Sequence, residues 1–492
     1  MSSLWTTSSN LGALDVIIVG AGISGINSAY RLKTYFPHIR YAILESRHEI
    51  GGTWNQYTYP GVRSDSAMHT LGFSWHRFPY PQPIGTGAQI LQYLKDTAAE
   101  YHIQEHILYG HKALSADWSS KAQEWTVTVS HEGKQKGLKA RWIILGTGFY
   151  DAESPAQANI PGIDNFKGDV LQPQFWPKDY EYENKRIALI GSGATAVSML
   201  PTLAEKAAQV TMIQRSPSYI IAEDNSAWLQ DYLPLFLVLA FRRLWYILVP
   251  YLFVLYCQYF PDAARETLRG YTVKLLPKWV DHDPHFKPRY NPWEQRLCLD
   301  TDGSFYKTLH RPNVRLVTAT IDTVTENGIR IQHTQNGIKE DIEFDSIVKA
   351  TGLNMKLGGH IQLRVDGKFM QWAQRHVWNG GMLEDVPNMT FAMGYTNASW
   401  TIGADNTAFA MVRLMKHMDQ NGLRSATPQR TKEDIAAGTD IMWRNSATYA
   451  LVAQETLPVY GKTGLWKARL DPLVGYFGSR WGDYKSGLQF ST

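Results

Sequence analysis

The alternation of apolar runs and helical patterns divides the first half of the chain into two similar units. Residues 16–22 read VIIVGAG, an apolar run that breaks into glycine, and a helical pattern then leads to a second short run, YAILE, at 41–45. Residues 186–216 repeat this order, from RIALIG through a helical pattern to VTMIQRS. Strand, glycine turn, helix and strand together form a βαβ unit. The sequence therefore predicts an α/β fold that contains two such units.

The first unit has the spacing of a dinucleotide site. Gly20 permits the tight turn after the strand, Gly22 lets the backbone approach a pyrophosphate, and Gly25 lets helix and strand pack closely. Glu45 ends the second strand, where its carboxylate can accept hydrogen bonds from ribose hydroxyls. A simple glycine-rich turn is the alternative interpretation. Because the strand, the helix and the acid follow one another in the expected order and spacing, a bound dinucleotide is favoured.

The second unit differs from the first at two positions. Ala196 replaces the third glycine, and Arg215 follows the second strand where the first unit has an acid. An acid would repel a 2′-phosphate, whereas a guanidinium can pair with it; the alternative is a solvated surface arginine. One unit is therefore predicted to hold a resident dinucleotide and the other an exchangeable one, and FAD with NADPH is the pair that fits.

Two later apolar runs, at 141–150 and 344–355, end in the small-residue turns 146–148 and 350–352, which we interpret as crossings between domains. Between 223 and 293 long aromatic-rich helical stretches are punctuated by prolines, which indicates a helical insertion. The predicted fold is thus α/β, with two Rossmann-type dinucleotide-binding domains, for FAD and NADPH, and a helical insertion in the NADPH domain. The predicted organisation is 1–158 for the first part of the FAD-binding domain, 159–222 for the first part of the NADPH-binding domain, 223–293 for the helical insertion, 294–364 for the second part of the NADPH-binding domain, and 365–492 for the second part of the FAD-binding domain with a C-terminal tail.

Composition narrows the class of protein. The 492 residues are 44% apolar, and 49 basic against 45 acidic side chains give a charge of +4, without a basic block that would bind nucleic acid. Cys257 and Cys298 can form neither a disulfide framework nor a CxxC pair, so a disulfide reductase is excluded and a cytoplasmic protein is expected. The first residues lack the apolar core of a signal peptide. His282 and His285 stand in a proline-rich stretch, so no metal site is predicted.

The stretch at 232–260 is unusually apolar. Its uncharged run, Leu244 to Tyr256, counts 13 residues and contains Pro250, which is shorter than the roughly 20 residues that span a bilayer. We therefore expect that it does not cross a membrane. Two interpretations stay open: a buried or substrate-tunnel segment, and peripheral membrane contact.

Several motifs, taken together, resemble those of class B flavin monooxygenases of the Baeyer–Villiger type, and in particular the ethionamide monooxygenase branch. They are GAGISG at 20–25, GGTW at 51–54, YPGVRSD at 59–65, FKGDVLQPQFWP at 166–177, GSGATAV at 191–197, YNPWEQRLCL at 290–299 and GYTNASWT at 394–401. The resemblance covers residues from about 15 to 420. It implies that FAD, NADPH and O2 are used to insert oxygen next to a ketone carbonyl through a flavin C4a-peroxide. Independently of the resemblance, 17 tryptophans and 18 phenylalanines favour an apolar pocket and hence a lipophilic ketone, or a thioether that would be sulfoxidised, as substrate.

The resemblance also implies two catalytic residues. Arg296 matches the family's catalytic arginine, whose guanidinium keeps its proton and can stabilise a peroxyanion and a tetrahedral adduct. Asp65 would lie near the flavin and nicotinamide and orient that arginine. A structural arginine and a turn-capping aspartate are the alternatives.

The remaining contacts are implied in the same way. The residues expected to contact FAD are Gly20, Gly22, Ser24, Gly25, Glu45, Thr53, Trp54, Asn55, Gln56, Asp65 and the backbone at Ala113. The residues expected to contact NADPH are Arg63, Ser64, Gly191, Ser192, Gly193, Ala194, Thr195, Ala196, Val197, Arg215 and Ser216.

One position departs from the family's pattern. The family's FxGxxxHxxxWP motif has Gln172 in place of its histidine, and an amide cannot take up a proton near neutral pH. We hypothesise that this position couples NADPH binding to oxygenation, which the ratio of product to hydrogen peroxide in a Gln172→His variant would test. Two other functions stay open: an S- or N-oxygenating enzyme without carbonyl insertion, and an uncoupled NADPH oxidase or sensor.

Overall fold

The computed structural model describes residues 14–226, 235–373 and 375–492, and most of its strands belong to two large sheets. The strands are β1 Leu14–Val19, β2 Tyr41–Glu45, β3 Ile107–Tyr109, β4 Lys112–Ser119, β5 Glu124–His131, β6 Lys134–Leu145, β7 Asp169–Leu171, β8 Arg186–Ile190, β9 Gln209–Gln214, β10 Ile220–Glu223, β11 Cys298–Thr301, β12 Val314–Val324, β13 Gly328–His333, β14 Lys339–Glu343, β15 Ser346–Lys349, β16 Gln362–Val365, β17 Lys368–Phe369, β18 Val377–Trp378, β19 Met382–Leu383, β20 Met389–Phe391, β21 Ser425–Pro428, β22 Thr439–Ile441, β23 Val459–Gly461 and β24 Leu488–Ser491. The α-helices are α1 Ile23–Tyr35, α2 Thr53–Gln56, α3 Met68–Leu71, α4 Gly87–Glu100, α5 Ala194–Lys206, α6 Leu235–Tyr259, α7 Pro261–Val273, α8 His282–His285, α9 Ser304–Leu309, α10 Trp400–Gln420, α11 Lys432–Ala436, α12 Thr448–Ala453 and α13 Pro472–Trp481.

The first sheet contains the first βαβ unit. Its strand order is β17-β16-β4-β5-β6-β1-β2-β3, and β20 pairs with β6. Strand β1 runs parallel to both β2 and β6, and all five residues of β2 are buried, as expected for a parallel strand covered on both faces. Helix α1 packs against the long helix α10 on this sheet. The apolar run and glycine turn of the first motif therefore lie at the centre of a doubly covered sheet.

The second sheet contains the second βαβ unit. Its strand order is β14-β13-β12-β9-β8-β15-β7, and β8 runs parallel to both β9 and β15. Helix α5 follows β8 and buries its apolar side together with α9. The predicted α/β fold with two Rossmann-type units is confirmed by this topology.

The chain crosses between the two sheets twice, after β6 and after β15. The two crossing segments lie side by side: Asp151 donates its N–H to the carbonyl of Asn354, and Lys356 donates to that of Phe149, both at 2.9 Å. The sequence analysis placed residues 362–364 in the NADPH-binding domain. In the structure, strand β16 pairs with β4, so these residues belong to the first sheet. The other domain boundaries stay predictions, and residues 1–13 and 227–234 lie outside the described residues.

The first glycine of each motif packs against a crossing turn. Gly20 has a φ of +98°, and a Cβ added there would lie 2.8 Å from the carbonyl oxygen of Gly146. Gly191 has a φ of +137°, and its Cβ would lie 2.2 Å from the carbonyl oxygen of Ala350. The absence of a side chain is therefore what lets each βαβ turn contact the crossing segment.

The predicted helical insertion contains α6 and α7. Within the described chain, one helix is long and apolar enough to cross a membrane by length and composition alone: Ala240–Tyr259. Helix α6 is longer than the uncharged run of 13 residues because it also includes Arg242 and Arg243. The expectation that this stretch does not cross a membrane stays a prediction.

We expect Gly191→Ala to lower the free energy of unfolding by about 3 kcal/mol, because the new methyl group meets a backbone carbonyl and φ stays in the left-handed region. Gly193→Ala is the matched control in the same turn. Its φ is −84° and nothing lies within 4 Å of the added Cβ, so a loss of less than about 1 kcal/mol is expected. Denaturant unfolding of both variants measures the difference, and equal losses would contradict the packing argument.

Candidate active site

A cavity of about 400 Å³ lies between the carboxyl ends of the parallel strands of the first sheet and the start of α5. Its walls also include the first crossing segment and the chain after β15. Of the residues predicted for the site, those that line this cavity are Gly20, Gly22, Ser24, Glu45, Thr53, Trp54, Gln56, Arg63, Asp65, Ala113, Ala194, Thr195 and Arg296. The structure thus brings residues from both βαβ units to one cavity, as expected at the carboxyl edge of such sheets.

The first βαβ turn presents unpaired donors to the cavity. Gly22 is the N-cap of α1 and provides no side-chain cap, so the first N–H groups of the helix are free for an anion. Glu45 is fixed beside them: its Oε2 accepts from the N–H of Ala21 at 2.8 Å and its Oε1 from the N–H of Arg47 at 3.0 Å. Oε1 also accepts from the hydroxyl of Ser46 at 3.5 Å, and Oε2 retains a further lone pair. These donors and this acid fit a dinucleotide's pyrophosphate and ribose.

Of the other residues predicted to contact FAD, some line the cavity with side chains held by hydrogen bonds, and two do not line it. The hydroxyl of Ser24 accepts from Trp400 Nε1 at 2.9 Å, and Gln56 Nε2 donates to the carbonyl of Ala152 at 2.9 Å. Gly25 and Asn55 do not line the cavity. A Cβ on Gly25 would lie against the backbone of Gly20, which agrees with its predicted role in helix–strand packing.

The second βαβ turn is more open. Gly193 and Ala194 are exposed at the start of α5, and Gly193 provides no side-chain cap. Ser192 donates its hydroxyl to the carbonyl of Ser216 at 2.8 Å, which ties the turn to the end of β9. Ala196 and Val197 are fully buried in the core of the second sheet and do not reach the cavity. An uncapped and accessible helix N-terminus fits the phosphates of an exchangeable dinucleotide.

Arg215 lies at the end of β9, next to this turn. Its side chain is exposed, while the preceding Gln214 is buried and donates its amide to the carbonyl of His285 at 2.8 Å and to the hydroxyl of Thr318 at 3.0 Å. The strand end is therefore anchored, and the guanidinium beyond it is accessible from solvent. Arg215 and Ser216 lie outside the cavity itself.

Arg296 and Asp65 face each other at the cavity wall. The Nη1 of Arg296 lies 3.8 Å from the Oδ2 of Asp65, and their side chains are 36% and 46% exposed. Because both residues line the cavity, we attribute this exposure to that space. The neighbouring carboxylate of Asp65 is the main cause that raises the pKa of Arg296, so the cavity wall holds a permanent cation.

The turn before Arg296 is held from two sides. The N–H of Glu294 donates a hydrogen bond to the carbonyl of Asn291 at 3.0 Å, and the side-chain amide of Asn291 donates to Glu294 Oε1 at 2.8 Å. The carbonyl of Glu294 accepts from the N–H of Ser446 at 2.9 Å, in the C-terminal part of the chain. Beyond Arg296, the N–H of Cys298 donates to the carbonyl of Tyr219 at 2.8 Å. The arginine therefore lies on a short segment that is fixed at both ends.

The segment that carries Asp65 is held by its neighbours. Ser64 is fully buried, donates its N–H to the carbonyl of Gly85 at 2.9 Å and accepts from the N–H of Gly85 at 3.2 Å. Arg63 donates to the carbonyl of Leu299, on the strand that follows Arg296. Ser64, predicted to contact NADPH, does not line the cavity because its hydroxyl serves this pairing.

Several cavity residues were missed in the sequence. Phe149 stacks between Trp400 and Trp443, with ring centroids at 4.7 and 5.1 Å. Tyr150 also lines the cavity, and burial raises the pKa of its hydroxyl, which therefore stays protonated. Phe149 and Tyr150 follow a strand at its carboxyl end, a signal that could have identified them. Trp443 comes from the C-terminal 70 residues, where no motif marked it.

Gln172 lies close to the crossing segments and outside the cavity. Its Oε1 is buried without a hydrogen-bond partner, and two residues later Gln174 donates its amide to the carbonyl of Asp151. The carboxylate of Asp151 in turn pairs with His360 at 3.0 Å. Among the described residues, no cluster of histidine, cysteine and acidic side chains could hold a metal ion.

Comparisons with known proteins identify the family of this chain. The family model of flavin-binding monooxygenase-like proteins matches residues 13–258. An FAD-containing monooxygenase, EthA, of Mycobacterium tuberculosis is 38% identical over 92% of both chains, and a probable FAD-binding monooxygenase, AlmA, of an Acinetobacter species is 36% identical over 92% of this chain and 91% of its own.

Solved structures share the fold. A cyclohexanone monooxygenase from a Rhodococcus species, bound to NADP+, superposes with a TM-score of 0.76 and 19% identity over 98% of this chain and all of its own. A steroid monooxygenase bound to NADP gives 0.75 and 22% identity over 97% of this chain and 99% of its own. The predicted pair of cofactors, FAD and NADP(H), is confirmed. With a family model that covers half of its length and relatives that cover nearly all of it, the chain belongs to the flavin-binding monooxygenase-like family.

Proposed function

We propose that this flavin monooxygenase inserts one atom of O2 next to the carbonyl of a lipophilic ketone to give an ester, while NADPH supplies two electrons and the second oxygen atom leaves as water. The observation that carries the proposal is the Arg296–Asp65 pair on the wall of a cavity bordered by both βαβ units. Each unit supplies an uncapped helix N-terminus for one dinucleotide.

Arg296 would act on the charge that develops during the reaction. Bound FAD, reduced by NADPH, supplies the chemistry that activates oxygen. A guanidinium cannot lose its proton, so Arg296 can stabilise an anionic oxygen nucleophile and the negative oxygen of the tetrahedral adduct. At 3.8 Å Asp65 forms an ion pair with Arg296 that is too long for a hydrogen bond, which leaves the guanidinium donors for the reacting oxygens. Asp65 therefore orients Arg296.

The fixed cation favours a ketone over a thioether. A carbonyl carbon is an electrophile and reacts with an anionic oxygen, whereas the sulfur of a thioether is a nucleophile and is not activated by that negative charge. Sulfoxidation would therefore be a secondary activity of the same cavity. The aromatic wall of Phe149, Trp400 and Trp443 supports an apolar substrate.

The division of the chain follows from the same proposal. We assign FAD to 1–158 and 362–492, with the contacts predicted above from Gly20 to Ala113, and NADPH to 159–222 and 294–361, with 223–293 as the helical insertion. Arg215 would pair with the 2′-phosphate because it is exposed at the strand end beside the open turn of α5.

The function is tested by NADPH-dependent oxygen uptake of the purified, FAD-loaded protein with an aliphatic methyl ketone or a matched thioether, with products resolved by mass. The expected result is an ester from the ketone, formed faster than sulfoxide from the thioether. Sulfoxide without ester would assign an S-oxygenating enzyme instead. Hydrogen peroxide with neither product, across a series of ketones, would assign an oxidase.

Arg296→Ala is expected to reduce ester formation about 100-fold or more, because the transition-state charge loses its cation. Arg296→Lys should recover only part of the rate, since a point charge lacks the planar set of donors. Arg330→Ala is the matched control, because Arg330 forms a surface pair with Asp341 at 2.9 Å outside the cavity. Steady-state rates of ester and peroxide formation report the effect; an active Arg296→Ala variant would refute the assigned role.

Arg215→Ala is expected to raise the KM for NADPH roughly 10- to 100-fold, the size of a lost charge-assisted contact with phosphate. The KM for NADH should change much less, because NADH has no 2′-phosphate. Parallel titrations with the two cofactors measure the difference, with the Arg330→Ala variant as control. Equal changes in both KM values would place the 2′-phosphate elsewhere.

A further inference from the structure

Helix α6 presents its apolar side outward. Its two charged residues point into the protein: Arg242 is buried, and Arg243 donates to the carbonyl of His69 at 2.8 Å. On the other side, Leu244 is 50% exposed and Leu252 is 59% exposed. A helix on a water-facing surface has the reverse arrangement, with charges outside and leucines inside. The orientation of α6 therefore indicates an apolar environment on its outer side.

A second helix, far away in sequence, continues this surface. The hydroxyl of Tyr251 on α6 donates to the carboxylate of Asp471, the N-cap of α13. Along α13, three apolar side chains at i, i+3 and i+7 point outward: Val474 and Trp481 are each 69% exposed, and Phe477 is 59% exposed. We call the exposed residues Leu244, Val249 and Leu252 of α6 with Val474, Phe477 and Trp481 of α13 the two-helix apolar face.

The absence of charge on this face favours a lipid surface as its partner. Neither α6 nor α13 contains an aspartate or glutamate, and their arginines Arg242, Arg243 and Arg480 face the protein and not the surface. No acid on either helix would repel anionic headgroups, and the whole chain carries +4. Trp481 on the face and Trp245 beside it have the amphipathic rings that settle at the boundary between headgroups and acyl chains.

Helix α6 is fastened along its length, so it lies on the protein and does not stand free of it. Val238, Val254 and Cys257 are buried against the body, and the ring of Tyr246 stacks on His69 with centroids 5.0 Å apart. Insertion across a bilayer would break these contacts. The arrangement instead matches a helix that lies in the plane of a membrane surface.

We propose that the two-helix apolar face docks this protein on the surface of a lipid bilayer. Helix α6, which contacts His69, and the short helix α3, whose Leu71 lines the cavity, then lie between the bilayer and the cavity. Docking would thus hold the cavity close to the lipid phase in which a lipophilic ketone dissolves. This last step rests on the proposed oxygenation; the docking does not.

The test is flotation of the full-length, FAD-loaded protein with vesicles of phosphatidylcholine, alone or mixed with phosphatidylglycerol. The double variant Leu252→Glu/Phe477→Glu places two acids on the face at positions that are already exposed. The matched control Ile338→Glu/Phe369→Glu changes two residues of similar exposure, 59% and 56%, on other surfaces. We expect wild type and control to float, more strongly with the anionic lipid, and the face variant to lose at least about tenfold in vesicle affinity.

Folding and activity separate the outcomes. All variants should unfold at the same temperature and oxidise a water-soluble ketone at the wild-type rate, whereas oxidation of a vesicle-bound ketone should fall only in the face variant. Failure of ketone oxidation in the wild type would refute the proposed function and leave the flotation result standing. Wild-type protein that does not float, or a face variant that floats equally, would overturn the docking proposal. A concentration-dependent dimer that the face variant abolishes, without vesicle binding, would assign the face to a second copy.

Discussion

The close contact between each glycine turn and a crossing segment is the constraint on which the rest of this structure depends. At Gly20 and at Gly191 the backbone touches another backbone, and a single methyl group would occupy the space of a carbonyl oxygen. Because the same segments connect the two sheets, this contact brings both uncapped helix N-termini to one region. The cavity, its aromatic wall and the position of the charged pair follow from that closeness.

The charged pair at the cavity joins parts of the chain that no local pattern connects. Asp65 is fixed through the buried Ser64, and Arg63 reaches across to the strand after Arg296. Ser446, near the C-terminus, holds the turn before the arginine. Three separate segments therefore set the distance between Arg296 and Asp65. This explains how an arginine whose side chain is partly exposed to the cavity keeps a defined position.

Sequence patterns predicted the βαβ units because the signals of each unit are close together in the chain. In the first unit the apolar run, the glycines and Glu45 all lie within residues 16–45. The same patterns missed Trp443, and they did not show that the hydroxyl of Ser64 serves the backbone of Gly85, since both depend on contacts across the fold. The length of helix α6 was not predicted for a related reason. Its uncharged length is short, but the helix extends through two arginines whose charges face the protein, and only the packed structure shows which side they occupy.

The two crossing segments have a mechanical consequence. They are hydrogen-bonded to each other from Phe149 to Lys356 and are pinned by the pair of Asp151 and His360, so they behave as one strap between the sheets. Any rotation of one sheet against the other has to bend this strap as a unit. Phe149 and Tyr150 form part of the strap and part of the cavity wall at once. A change in the angle between the sheets is thereby also a change in the shape of the space where substrate would bind.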